Sequence, residues 1–238
     1  MRGINSFLLA IMHICLRAAF IISISCSAAL SNTESDAEIT SQHQVFAHPI
    51  ENSNTLDNLL QIHAVDGKIV RASFTQQKKL KVLKRPLNSN GRLTLSETSG
   101  LLWQVLKPLP SDYVFQSDAA YQWRQGQLSA IPFSQSPIFK GFADTFIAAL
   151  SGDISKLSNN FSIYLTPQST PEHWCIGLKP ANEAMAKGVD YMVLEGGVYL
   201  SRLVLSDTSG DVTTLNFENY ELGDALSEAE KALYPPAP

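Results

Sequence analysis

The side chains able to do chemistry are few in this sequence and do not gather. Past the N-terminal apolar stretch the histidines are His43, His48, His63 and His173, none beside a plausible nucleophile in sequence. His43 and His48 fall in a polar run with no periodicity, where two imidazoles suit a solvated tail better than a metal site. Asp118, Asp153, Asp207 and Asp211 stand in turns, where aspartate is favoured for its bonds to nearby backbone N–H groups. Beyond the N-terminal region one cysteine remains, Cys175, within the apolar run His173-Trp174-Cys175-Ile176. Alone it has no partner for an internal disulfide, and it reads as a small buried hydrophobe. There is no Gly-x-Ser-x-Gly elbow, no HExxH, no CxxC and no glycine-rich phosphate loop. The sequence gives no sign of an enzyme, a metal or a cofactor.

What the chain has instead is patterned apolar surface. Its 238 residues open with a stretch that reads as a secretory signal peptide over residues 1–29. Arg2 precedes it, Ala18–Ile24 is the apolar segment, and the small residues Ser25 to Ala29 suit cleavage. Acylation of Cys26, as in a lipoprotein signal, is the alternative. Removing Arg2 and Arg17 leaves 16 basic against 22 acidic side chains, a net charge of −6. Such a balance does not suit nucleic acid, and the one basic cluster, Lys78-Lys79-Lys81-Lys84-Arg85, has no interleaved aromatics. That cluster reads as a solvated hairpin, or as a docking surface for an acidic partner or anionic lipid headgroups. A mature chain of about 200 residues suits one domain with a substantial core. Residues 30–52 are expected to form a flexible lead-in, and residues 53–238 that domain.

The densest pattern runs from Gly91 to Trp123, where four strands follow one another: Gly91–Ser96, Leu101–Leu106, Asp112–Ser117 and one starting at Tyr121. Leu93 and Leu95, Trp103 and Val105, and Tyr113 and Phe115 alternate with other residues, as in a sheet with one apolar and one wetter face. Before them, a short helix from Ser53 or Thr55 and a strand over Lys68–Gln76 carrying Phe74 are expected, with a turn at Asn88-Ser89-Asn90-Gly91. After them, Pro132–Pro137 reads as a linker and Ser136–Ser151 as the clearest helix. Phe139, Phe142, Ala143, Phe146, Ile147 and Leu150 form its apolar stripe. Further strands are expected at Phe161–Leu165 (with Ile163), Trp174–Leu178 (with Ile176), Asp190–Leu194, Leu200–Leu205 (with Leu203) and Val212–Phe217. Short helices fit Pro180–Lys187 and Ser227–Leu233. The sum is a mainly β, α+β fold of about 10–11 strands in sequential antiparallel order. A sheet of that size curls into an unclosed barrel, and the helix stripe must bury itself on the aromatic face.

Taken in order, several runs resemble one family. Phe74-Thr75-Gln76, Gly91-Arg92-Leu93-Thr94-Leu95, Leu101-Leu102-Trp103 followed by Lys107-Pro108, and Ser117-Asp118 before Trp123 are similar to the outer-membrane lipoprotein carrier family, LolA. Leu150-Ser151-Gly152-Asp153, Leu203-Val204-Leu205 and the run Gly210 to Phe217 fit it too. The resemblance implies an unclosed barrel with helices as a lid over an apolar cavity. It further implies a monomeric periplasmic carrier with acylated lipoprotein or another lipid as cargo. An inner-membrane release or export complex and an outer-membrane receptor would be its partners. The cavity and lid would take Phe74, Leu93, Leu95, Trp103, Val105, Tyr113, Phe115, Trp123, Phe139, Phe142, Phe146, Leu150, Phe161, Ile163, Trp174, Ile176, Leu203 and Leu205. Each of these also suits an ordinary packed core. One departure stands out: the turn Ser96-Glu97-Thr98-Ser99 places Glu97 where well-known carriers have a lid-latching arginine.

Overall fold

The computed structural model describes residues 45–50, 68–124, 126–135, 137–151 and 153–235. The expected signal peptide, Cys26, most of the expected lead-in and the helix expected near Ser53 lie outside them.

Turn residues and alternating apolar residues cut the chain into eleven strands. In chain order they are β1 (Ile69–Lys79), β2 (Leu87–Ser96), β3 (Gly100–Lys107), β4 (Ser111–Phe115), β5 (Ala119–Arg124) and β6 (Gln127–Pro132). After the helix α1 (Pro137–Ser151) come β7 (Phe161–Leu165), β8 (Trp174–Pro180), β9 (Val189–Gly196), β10 (Leu200–Asp207) and β11 (Val212–Gly223). Two one-turn helices, α2 (Glu183–Ala186) and α3 (Glu228–Lys231), complete the set among the described residues. Asn182 caps α2, and Ser227 with Glu230 makes a reciprocal capping box on α3.

All strands join one antiparallel sheet in the order β6-β5-β4-β3-β2-β1-β11-β10-β9-β8-β7. This corrects the expectation of a single sequential meander. Two meanders are joined by the pairing of β1 with β11, the most sequence-distant strands available. The sheet does not close: β6 and β7 remain its outer strands. α1 is the connection between them, so the chain leaves one edge, crosses a face of the sheet and re-enters at the other. We call that face the inner one.

Three local readings change. Asn88 to Gly91 is not a turn but part of β2, and the ladder register shifts between Asn90 and Gly91. The extra residue is Leu106 on β3, since Asn90 pairs with Lys107 and Gly91 with Val105, and the chain turns earlier, at Leu80–Pro86. The linker at Pro132–Pro137 contains a 3-10 turn, Phe133–Gln135, whose Phe133 is buried in the core. The end of the lead-in is not loose. Val45 is fully buried, Phe46 packs edge-on against Tyr164 and Tyr191, and residues 48–50 hydrogen-bond along β7. An edge strand left bare would invite pairing with another chain, and this segment covers part of it.

Gly91 shows why the family-like Gly-Arg-Leu run begins with glycine. It lies opposite Phe74 in the β1–β2 register. A Cβ on Gly91 would sit 1.9 Å from the Gln104 carbonyl oxygen and 2.6 Å from the Phe74 ring. The missing side chain is the space in which the Phe74 ring lies flat. Gly91→Ala is therefore expected to lower stability by about 1–3 kcal/mol or more through overpacking. A urea unfolding midpoint equal to that of the parent would contradict this account.

Candidate functional site

The inner face is a continuous apolar floor. Cross-strand partners carry it from strand to strand. Phe74 faces Phe217, Leu93 faces Trp103, and Trp103 faces Tyr113. Leu101 faces Phe115, Leu215 faces Leu203, Leu203 faces Leu194, and Ile176 faces both Leu194 and Leu165. Its centre is aromatic. The rings of Phe74 and Trp103 stack with centroids 3.8 Å apart, and Phe146 of α1 meets Trp103 edge-on at 5.2 Å. Phe217 closes the group, 6.4 Å from Trp103 and 6.3 Å from Phe146.

The structure gathers most of the expected residues there. Phe74, Leu93, Leu95, Trp103, Val105, Tyr113, Phe115, Phe146, Leu150, Phe161, Trp174, Ile176 and Leu203 belong to one buried cluster, with Ile163 and Leu205 packed against it. Phe139 and Phe142 lie on α1, but their side chains are outside the described set. Trp123 does not join them. It pairs with Asp112, whose neighbour Tyr113 points inward, so Trp123 stands on the outer face. There its indole N–H donates to the Leu233 carbonyl at 2.6 Å. The chain reaches Trp123 through Ala119-Ala120-Tyr121-Gln122, where Ala120 and Gln122 hold the inward positions.

α1 is more deeply set than a simple lid stripe. Besides Phe146 and Leu150, Thr145, Ala148 and Ala149 are also buried. A helix buried on so many sides is a filling element rather than a surface cover. Thr145 satisfies its hydroxyl by donating to the Gly141 carbonyl one turn back, at 2.7 Å.

Towards the β1–β2 turn the inner row becomes polar. Beyond Phe74 it continues with Gln76 and Lys78, both buried, and Ser89 donates towards Gln76 at 3.4 Å. Sequence reasoning missed this as part of the site. The signal was the alternation Val70, Ala72, Phe74, Gln76, which keeps Gln76 on the apolar side.

The outer face is not uniformly wet, as alternation alone had implied. Leu102 and Val114 are fully buried on it, and Val45, Val193 and Val204 form a second small core. The C-terminal segment lies across part of this face. Glu230 accepts from Arg71 at 2.7 and 2.6 Å and from the Thr94 hydroxyl at 2.8 Å, and Arg71 also donates to the Ala225 carbonyl. Arg71 foremost, with Ser227 and Thr94, holds the Glu230 carboxyl down at about 2. The Ser96–Ser99 turn is tied to itself, Ser99 N–H donating to Ser96 Oγ, and Glu97 is exposed. Cys175 is half-buried and burial pushes its thiol up to about 11, so it is no ready nucleophile. Among the described residues no three of His, Cys, Asp and Glu group as metal ligands, and no helix is long and apolar enough to cross a membrane.

An open antiparallel sheet wrapped on a helix-filled apolar interior defines the class. The profile of the outer membrane lipoprotein carrier protein LolA-like family matches residues 50–214, and the chain belongs to that family. Members of the family are carrier and binding proteins of the cell envelope rather than enzymes. No curated protein matches the sequence. Among solved structures, the LolA superfamily protein NE2245 from Nitrosomonas europaea aligns at 8% identity and TM-score 0.44, over 76% of this chain and 98% of that one. A putative outer membrane lipoprotein-sorting protein domain from Vibrio parahaemolyticus aligns at 10% identity and TM-score 0.42, over 75% and 96%. The lipoprotein LppX of Mycobacterium tuberculosis aligns at 9% identity and TM-score 0.37, over 74% and 99%.

Two outcomes follow. Trp103→Ala should cost about 3–5 kcal/mol in denaturant unfolding, because it empties the aromatic centre. Glu230→Gln should cost about 1.5–3 kcal/mol at neutral pH, the worth of charged hydrogen bonds. A carboxyl with a depressed pKa stabilises above its unfolded value and loses that contribution as pH falls. The deficit of Glu230→Gln should therefore shrink from about pH 4.5 towards the bound-state value of about 2. A deficit that stays constant over that range would assign it to packing instead.

Proposed function

We propose that this protein is a periplasmic carrier that shields the acyl chains of lipoproteins in transit from the inner to the outer membrane. The observation that supports this most is the apolar floor running across the open sheet, covered by a helix that is itself the connection between its two outer strands. Withdrawing α1 from the floor exposes Phe74, Trp103 and Phe217. An acyl chain that takes the helix's place buries the same surface again. Each CH₂ removed from water contributes about 0.8 kcal/mol, so a long chain offsets the exposure of several side chains. The site needs no specific hydrogen bonds for this exchange, only a dry, deformable wall. Residues 53–238 act as the carrier domain, delivered by the signal peptide over residues 1–29. An inner-membrane release complex is the donor and an outer-membrane receptor the acceptor.

A second reading concerns the cargo alone. Where well-known carriers have an arginine latch, this chain has the exposed Glu97 in a turn closed on itself. That difference favours a carrier of another lipid, a glycolipid or acyl intermediate taken from an inner-membrane exporter. Adding the purified protein to spheroplasts separates the two. A lipoprotein carrier releases acylated lipoproteins into solution. A carrier of another lipid releases none but brings that lipid through purification, where mass spectrometry identifies it. If neither appears and a fluorescent fatty-acid probe is not taken up, the interior is a permanent core and the carrier reading fails.

A further inference from the structure

The turn between β1 and β2 stands out from the rest of the surface. Val82 is 88% exposed and Leu83 46%, at the tip of a hairpin whose Lys79, Lys81, Lys84 and Arg85 are all exposed. The strand register puts a second such turn on the same rim. β3 runs antiparallel to β2, and Asn90 near the start of β2 pairs with Lys107 at the end of β3. The end of β3 and the β3–β4 turn that follows expose Leu106 (41%), Lys107 and Leu109 (52%). Four of the six most exposed large apolar side chains among the described residues thus lie in or beside two turns of one rim, together with five exposed cations.

Of the acids near this rim, Asp112 follows the β3–β4 turn half-buried on the outer face, accepting from Gln104 Nε2 at 3.0 Å, and two others are buried. Asp211 is buried and accepts from the Lys81 backbone N–H at 2.9 Å, and Asp207 is buried accepting from Ser209 and Asp211 N–H groups. Glu183 and Asp190 lie towards the far half, in α2 and at the start of β9, beyond β10 in the sheet. A chain of net negative charge therefore presents one positive corner, tipped with aliphatic side chains.

We propose that this rim docks on an anionic lipid membrane surface, Lys79, Lys81, Lys84, Arg85 and Lys107 meeting headgroups while Val82, Leu83 and Leu109 enter the interface. Charge attraction to acidic headgroups and burial of a few protruding apolar side chains together make a reversible membrane contact. An acidic protein partner fits less well. The aliphatic groups protrude from two separate turns instead of forming one patch, and the aromatic anchors typical of protein hot spots are missing from both turns. The proposal goes beyond the carrier reading and does not depend on the cargo, because every residue in it lies outside the apolar interior.

Sedimentation of the purified protein with lipid vesicles tests it. Vesicles of phosphatidylethanolamine and phosphatidylglycerol should bind the protein at low salt, and vesicles of phosphatidylcholine should not. Val82→Asp with Leu83→Asp should weaken binding by about tenfold or more, and so should Lys84→Glu with Arg85→Glu. Raised salt should weaken it further. All four positions are exposed, so melting temperatures should stay at the parent value. A single Val82→Trp variant gives an independent reading, with indole fluorescence shifting to the blue on the anionic vesicles only. Equal binding to both vesicle types, no binding to either, or unchanged binding by the charge-reversed and aspartate variants overturns the proposal. Binding to polyglutamate but not to vesicles also overturns it, and assigns the rim to an acidic protein.

Discussion

The stack of Phe74 on Trp103 is the contact on which the rest of this structure depends. It is possible only because Gly91 leaves its space empty, since any Cβ there would collide with the Phe74 ring and the Gln104 carbonyl. Phe74 also takes part in the β1–β11 ladder, where it pairs with Phe217. One aromatic group therefore fixes the centre of the floor, joins the two meanders and receives Phe146 from α1. Aromatic pairs add about 0.5–1.5 kcal/mol each beyond the area they bury, so the centre is specified as well as greasy.

From that centre the layout of the molecule follows. A helix has to cover the floor, and the one long helix among the described residues is the link between the sheet's outer strands. Binding it to the floor holds the open sheet curved without closing the ladder between β6 and β7. The outer face is then stiffened by other means: the Arg71–Glu230 clasp with its C-terminal segment on one half, and Val45 and Phe46 on the other. Phe46 needs its own glycine, since a Cβ on Gly177 would meet its ring at 2.7 Å.

Much of this was legible in the sequence. Period-2 alternation located the strands and told which of Leu93, Trp103, Val105, Tyr113 and Phe115 share a face, because adjacent strand residues must point to opposite sides. Spacings of three and four located α1. The family resemblance supplied the open barrel, and the order of weak motifs was enough for it. Not legible was the burial of Thr145, Ala148 and Ala149, since a small residue carries no hydrophobic signal until a neighbour covers it.

What the sequence determined by itself was local: which segments are strands, which helix is amphipathic and where an apolar face arises. Only the tertiary structure decided the rest, because the deciding contacts join residues far apart in the chain. The pairing of β1 with β11 set the strand order. The Leu233 carbonyl and the parity of β5 placed Trp123 outside, although its aromatic character fitted the interior as well as Trp103 did. Asn88 to Gly91 continued β2 instead of turning, and Gly91 came to lie opposite Phe74, on another strand, whose ring leaves no room for a Cβ there. The rim where Val82 and Leu109 stand exposed came into being only when β2 and β3 were set side by side.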